Sequence, residues 1–185
     1  VVARHTDGML LTTNLDNDDA IAVDFLERVR AAVDFDDRRA LYVPEGLVKG
    51  PDGLYQHRDE HNAFCSVATP WSRPSTSWDE WHNMLGRTMP VVLIDGAPGW
   101  LQVVHGENVS NRVRGHLASP ARWRSAFPGA LDDVADPGRG ALLRDRFVSG
   151  PARRLRDAGR SGIRRAAIAV LGKEGLLRLK ARLRP

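Results

Sequence analysis

Cysteine is almost missing from this chain. Cys65 is the single one in 185 residues, so no internal disulfide can form and disulfide-stapled secreted scaffolds are excluded. No charged n-region followed by an apolar h-region opens the sequence. Both absences lead us to expect a reducing, cytoplasmic setting. Long apolar runs are also missing, the longest uncharged one being 166–172, far short of the ~20 residues of a membrane-spanning helix. Aromatic residues are thin and drop out toward the end, where Phe147 alone follows residue 138. That disfavours a single-strand nucleic-acid binder, which stacks bases on interleaved aromatic rings. Lysine is scarce beside arginine, 3 against 24, an imbalance that reflects coding composition more than partner choice. A hydrophobic share of 42% is ordinary for a folded domain and excludes a wholly disordered chain.

The net charge of +4 conceals two opposite bodies. Residues 1–138 carry 13 Lys and Arg against 20 Asp and Glu, a net of −7, whereas 139–185 carry 14 against 3, a net of +11. The Gly138–Gly140 stretch is the natural boundary, which gives an acidic domain over 1–138 and a basic helical tail over 139–185. In the tail, Ile163, Ala167, Val170 and Leu171, then Leu176, Leu179 and Leu183, recur at three- and four-residue steps beside arginines. An amphipathic, cationic stretch of this kind suits an anionic membrane surface, and we expect peripheral docking on the inner face of the plasma membrane rather than nucleic-acid binding.

Along the acidic domain, strand and helix signals alternate. Met9–Asn14 reads as a buried strand that ends in the cluster Asp16-Asn17-Asp18-Asp19. Ile21, Ala22, Phe25, Leu26, Val29 and Val33 predict a helix from that cluster to about residue 33, with Asp18 or Asp19 as its cap. Ala40–Val43 is a short strand, 46–56 a hairpin around Gly50-Pro51-Asp52-Gly53, and Ala63–Ala68 another strand. A loop over Pro70–Ser77 leads to a short helix over Trp78–Leu85, then to strands at Pro90–Ile94 and Trp100–His105. The class is α/β with a mixed sheet.

Three carboxylates within four positions repel one another, and a fold tolerates that when a cation compensates. The Asp16-x-Asp18 spacing on a turn lets two carboxylates converge on one hard metal ion, which magnesium completes with phosphate oxygens and water. Helix capping by Asp18 and Asp19, with Asp16 solvated, stands beside that reading. His105, at the end of its strand, is a third candidate ligand.

Two stretches carry a family resemblance. Leu11-Thr12-Thr13-Asn14-Leu15-Asp16-Asn17-Asp18-Asp19-Ala20 resembles the acidic motif of a bacterial rhamnosyltransferase family similar to the metal-dependent GT-A glycosyltransferases. Trp100-Leu101-Gln102-Val103-Val104-His105-Gly106-Glu107-Asn108-Val109-Ser110-Asn111 resembles the Trp-Leu-Gln-x-x-His-x-x-Asn-x-Ser-Asn stretch of the same family. The resemblance covers about residues 9–115. It implies Mn2+ or Mg2+ held by Asp16, Asp18 and His105, with Asn14 in the same cofactor-binding loop, bridging the diphosphate of a nucleotide-sugar donor. Trp100, Gln102, Asn108 and Asn111 become candidate substrate contacts, and the acceptor is a glycan or a lipid-linked sugar. Only 15 residues precede Asp16. The chain is therefore expected to be the metal-and-acceptor portion of a GT-A-like fold, without its upstream nucleotide-binding half.

Transfer to an acceptor hydroxyl with inversion also needs a base. Asp79 and Glu80 are the candidates, because they are expected to open the short helix within Trp71…Trp78…Trp81, whose flat rings suit sugars or else fill a core. Asp59, Glu60 and Asp95 remain open. A competing reading comes from His57-Arg58-Asp59-Glu60-His61, which matches the His-x-x-Glu-His of inverted zinc peptidases and would require a long helix there. A non-catalytic domain docking on a membrane or nucleic acid through its basic tail is the remaining alternative.

Overall fold

A computed structural model of the chain describes residues 8–105, 113–153 and 155. They fall into two units, 1–142 and 143–185, each described by itself. The first is α/β with two mixed sheets rather than one. Its strands are β1 (Met9–Thr13), β2 (Ala20–Ile21), β3 (Arg39–Tyr42), β4 (Glu45–Gly50), β5 (Gly53–Arg58), β6 (Ser66–Pro70), β7 (Val91–Leu93), β8 (Trp100–Val103) and β9 (His116–Ala118). Helix α1 is Phe25–Ala31. One sheet runs β1-β6-β3-β7, the other β2-β8-β4-β5-β9. Among the described residues, β3 with β7 and β4 with β8 are the parallel pairs.

Strand alternation distributes the core. Leu41 of β3, Leu47 of β4, Leu54 of β5 and Leu101 of β8 join Phe25 and Val29 of α1 and Phe127 and Leu131 in one buried cluster fed by both sheets. Ala40 and Tyr42, on the opposite side of β3, pack with Cys65, Val67, Leu85 and Met89. Val48 and Trp100 alternate away in the same manner and meet Tyr55 and Phe64.

The helix expected from the acidic cluster onward begins later. Ala20 and Ile21 pair with Leu101 and Trp100 as β2, so the chain enters α1 at Phe25 behind Asp24, and neither Asp18 nor Asp19 is a cap. Residue-local periodicity is overridden by a strand partner about eighty positions away. Helix Trp78–Leu85 is likewise corrected: residues 78–80 form a turn, and a 3-10 helix occupies His82–Arg87.

His57 lies on β5 and His61 in the turn beyond it, so no helix presents both on one face and the zinc-peptidase geometry fails. Their rings go to different neighbours, His57 edge-on to Trp100 at 6.4 Å and His61 edge-on to Tyr42 at 5.7 Å.

Trp100 corrects another expectation. It is 2% exposed, stacks on Phe64 at 5.0 Å, and donates its indole N–H to the Val43 carbonyl at 2.9 Å, so its ring is packed in the core rather than offered at the surface. Its ring lies over Gly46, the residue opposite it in β4, where a Cβ would fall inside the indole. Gly46→Ala should therefore cost about 3 kcal/mol through overpacking. A urea-midpoint shift worth less than about 1 kcal/mol would show that the indole moves aside freely.

Helix α2 is Arg139–Arg144. In the second unit a π-turn occupies Asp145–Ser149, and buried Asp145 accepts from Arg153 Nη2 at 2.6 Å. Residues 156–185, where the leucine repeat of the tail lies, are outside the described residues, as are Asn108 and Asn111. No helix among the described residues is long and apolar enough to cross a membrane.

Candidate functional site

The acidic loop leaves the end of β1 pinned on two sides. Asn14 accepts no freedom there: its backbone N–H donates to the Cys65 carbonyl at 2.9 Å and its side-chain amide to the Ala63 carbonyl at 2.8 Å. Asp16 to Asp19 forms a tight turn, the Asp19 N–H donating to the Asp16 carbonyl at 3.3 Å. Asp19 Oδ1 then accepts the Val103 N–H at 2.8 Å, which ties the loop to the end of β8. Burial pushes the Asp19 carboxyl up to about 6, with Asp18 and Asp16 adding repulsion against the lowering effect of the Val103 N–H. Of the three acids Asp19 is thus the structural one.

Asp18 points the other way and meets the predicted histidine. Its Oδ2 stands 3.2 Å from His105 Nε2, with the two side chains 40% and 48% exposed. Residues 87 positions apart are brought together because β2 pairs with β8, the strand two residues ahead of His105. Asp16 is not gathered with them, since no group of three His, Cys, Asp or Glu able to hold a metal ion occurs among the described residues. A magnesium or manganese ion on a diphosphate draws one or two protein ligands and fills its remaining positions with phosphate and water. Asp18 with His105 fits that lighter requirement.

Asp16 instead lines a cavity of about 580 Å³ with Asn14, Gln102, Cys65 and the segment Ser77–His82. Here the loop after β1 and the tryptophan segment face one another across the ends of β1 and β8. Trp78 and Trp81 are 82% and 75% exposed, far from the core role that either could have had. Their segment is held from below, where the buried Tyr42 hydroxyl donates to the His82 carbonyl and Leu85 is fully buried.

The two predicted acids share this rim but have different attachments. Asp79 is exposed, accepts from the Thr76 hydroxyl at 3.4 Å and pairs with Arg38 at 3.6 Å. Glu80 is half-buried and accepts the Trp81 N–H through one oxygen at 2.9 Å. Glu60 and Asp95 are engaged with Arg58 at 3.2 and 3.4 Å, and Asp59 caps the turn to His61, its Oδ1 accepting that N–H at 3.0 Å. None of these three lines the cavity. Cys65 does, but burial pushes its thiol up to about 11, which makes it a poor nucleophile.

Asn62 acquires a larger part than the sequence suggested. Buried Asn62 donates to the Val43 and Asp59 carbonyls at 3.0 and 2.9 Å and accepts the Phe64 N–H at 3.0 Å, fixing the segment under Ala63 and Cys65. Loop composition gave no signal for it. His82, on the cavity wall, is desolvated by burial and held below its ordinary value of 6.5, although Asp59 and Asp16 oppose the shift and His61 reinforces it. Its imidazole is therefore neutral at physiological pH. The unfolded chain binds that proton more readily than the folded one, so stability should fall as pH drops through about 6.5. Thermal melts between about pH 5 and pH 7.5 should show a steeper loss for the wild type than for His82→Gln; parallel curves would contradict the shift.

The family model described as putative rhamnosyl transferase matches residues 2–117, well over half of the chain. The chain belongs to that family. No curated protein and no solved structure matches it. The matched span of this rhamnosyltransferase-family chain holds the acidic loop, both sheets up to β9, the tryptophan rim and His105.

Proposed function

We propose that this chain transfers a sugar from a nucleoside-diphosphate donor to a glycan or lipid-linked acceptor by GT-A-like, metal-dependent chemistry. The family supports transfer of a sugar, and rhamnose is the donor sugar its description favours. The observation that carries the reading is the cavity in which Asp16 and Asn14 face Glu80, Trp78 and Trp81. It pairs an anionic loop, suited to a cation-bound diphosphate, with exposed aromatic faces suited to sugar rings.

Asp18 and His105 would hold the divalent ion, manganese or magnesium, and Asp16 would face the donor from the cavity edge. When bound, the ion offsets the charge that builds on the departing diphosphate. Glu80 takes the proton from the acceptor hydroxyl. It suits that role better than Asp79, because the Asp79 carboxylate is already engaged with Arg38 at 3.6 Å, while Glu80 keeps one oxygen without a hydrogen bond to the main chain. Trp78 and Trp81 orient the acceptor, and Gln102 supplies a polar contact on the facing wall.

Incubating the chain with nucleotide-activated rhamnose, manganese and a rhamnose-containing oligosaccharide, and following nucleoside-diphosphate release, tests the reading. Trp78→Ala with Trp81→Ala should raise the acceptor KM by about tenfold or more while leaving donor KM near the wild-type value. Equal changes in both would place the tryptophans away from the acceptor.

A further inference from the structure

In the second unit, Leu143, Phe147, Val148 and Leu155 are 57%, 69%, 60% and 80% exposed. In a regular helix positions 143 and 147 share a side, while 148 would turn away. The π-turn at Asp145–Ser149 widens the helix, so that Val148 turns less far from Leu143 and Phe147 than it would in a regular helix. The opposite side is differently made, with Asp145 5% exposed and bound to Arg153 at 2.6 Å. Arg144 and Arg146 are exposed, and the Arg146 guanidinium lies 5.8 Å from the centre of the Phe147 ring.

We infer that Leu143, Phe147 and Val148, with Leu155 beyond them and Arg144 and Arg146 beside them, form a docking face for the surface of an anionic lipid bilayer. Charge complementarity selects the partner: from 139 to 185 the chain carries 14 Lys and Arg against 3 Asp and Glu. Nucleic acid would reward the arginines through its phosphates but offers no place for clustered leucine, phenylalanine and valine side chains. A lipid surface takes both, the apolar side chains entering the boundary of the acyl region while guanidiniums meet headgroup phosphates. The inference is independent of the transferase reading, since it involves no residue of the cavity.

The test is flotation of the full chain with vesicles of phosphatidylcholine plus phosphatidylglycerol, against phosphatidylcholine alone. The wild type should float with the anionic vesicles, less so at high salt. Leu143→Glu with Phe147→Glu should lower the partition coefficient by about tenfold or more, and Arg144→Gln with Arg146→Gln by a smaller factor. All four substituted positions are on the surface, so melting temperature should change little. Unchanged flotation of the double glutamate variant would overturn the inference. So would tighter binding of the wild type to a single-stranded oligonucleotide, or a wild-type dimer that the glutamates dissociate without any vesicle binding.

Discussion

Asp18→Asn should lower the turnover of a nucleotide-sugar donor by about a hundredfold or more, the usual scale for losing one charge that stabilises a developing anion. The substitution keeps the shape of the side chain and removes the charge that faces His105 Nε2 at 3.2 Å. Asp18 is 40% exposed and its contact is with an exposed histidine, so the fold should be undisturbed and the loss should be of chemistry. Its neighbour supplies the contrast. Asp19 accepts the Val103 N–H, a bond that an asparagine oxygen can also accept, and burial has already pushed its carboxyl up to about 6. Asp19→Asn should keep both fold and most of the activity. Rates of nucleoside-diphosphate release for the two variants separate a metal-binding acid from a structural one, and equal losses would reject the division of roles.

Glu80→Gln should lower kcat by about a hundredfold or more, the lower end of what a positioned general base contributes. Asp79→Asn should cost less than about tenfold, because it removes an exposed ion pair with Arg38 at 3.6 Å, a kind of contact that contributes little. Glutamine at position 80 retains an oxygen for the Trp81 N–H, so the turn should persist. Single-turnover measurements with saturating donor isolate this step. If Asp79→Asn proves the more damaging, the base is Asp79 and the ion pair with Arg38 opens during the reaction.

Much of the first unit was legible along the chain because its signals are local. The apolar, β-branched run of β1 and the Gly-Pro-Asp-Gly turn between β4 and β5 each state their own conformation over a few residues. The misread places depend on distant partners. Ala20 and Ile21 fit a helical period, but β8 claims them as a strand edge. Trp100 sits in a motif beside polar residues, yet Gly46 opposite it leaves room for the ring to be buried flat. The histidines at 57 and 61 have metal-ligand spacing, but the hairpin register puts the first on a strand and the chain turns before the second.

The candidate site was legible in its parts and not in its arrangement. Sequence pointed to Asp18 and His105 and to the acids among the tryptophans, because runs of like charge and unspent aromatic residues stand out by composition. That Asp16 would face the tryptophan rim, while Asp18 turns to His105, depends on the loop being tied at Asn14 and again at Asp19. Those ties use backbone carbonyls and N–H groups, which leave no mark on residue type.

Binding of a cation-held nucleoside diphosphate by the loop at Asp16–Asp18 can be read by electron paramagnetic resonance of manganese with the full chain. Manganese should bind weakly alone and at least about tenfold more tightly when thymidine or uridine diphosphate is added, and Asp18→Asn should lose that gain. Manganese binding that is indifferent to both the nucleotide and the substitution would contradict it.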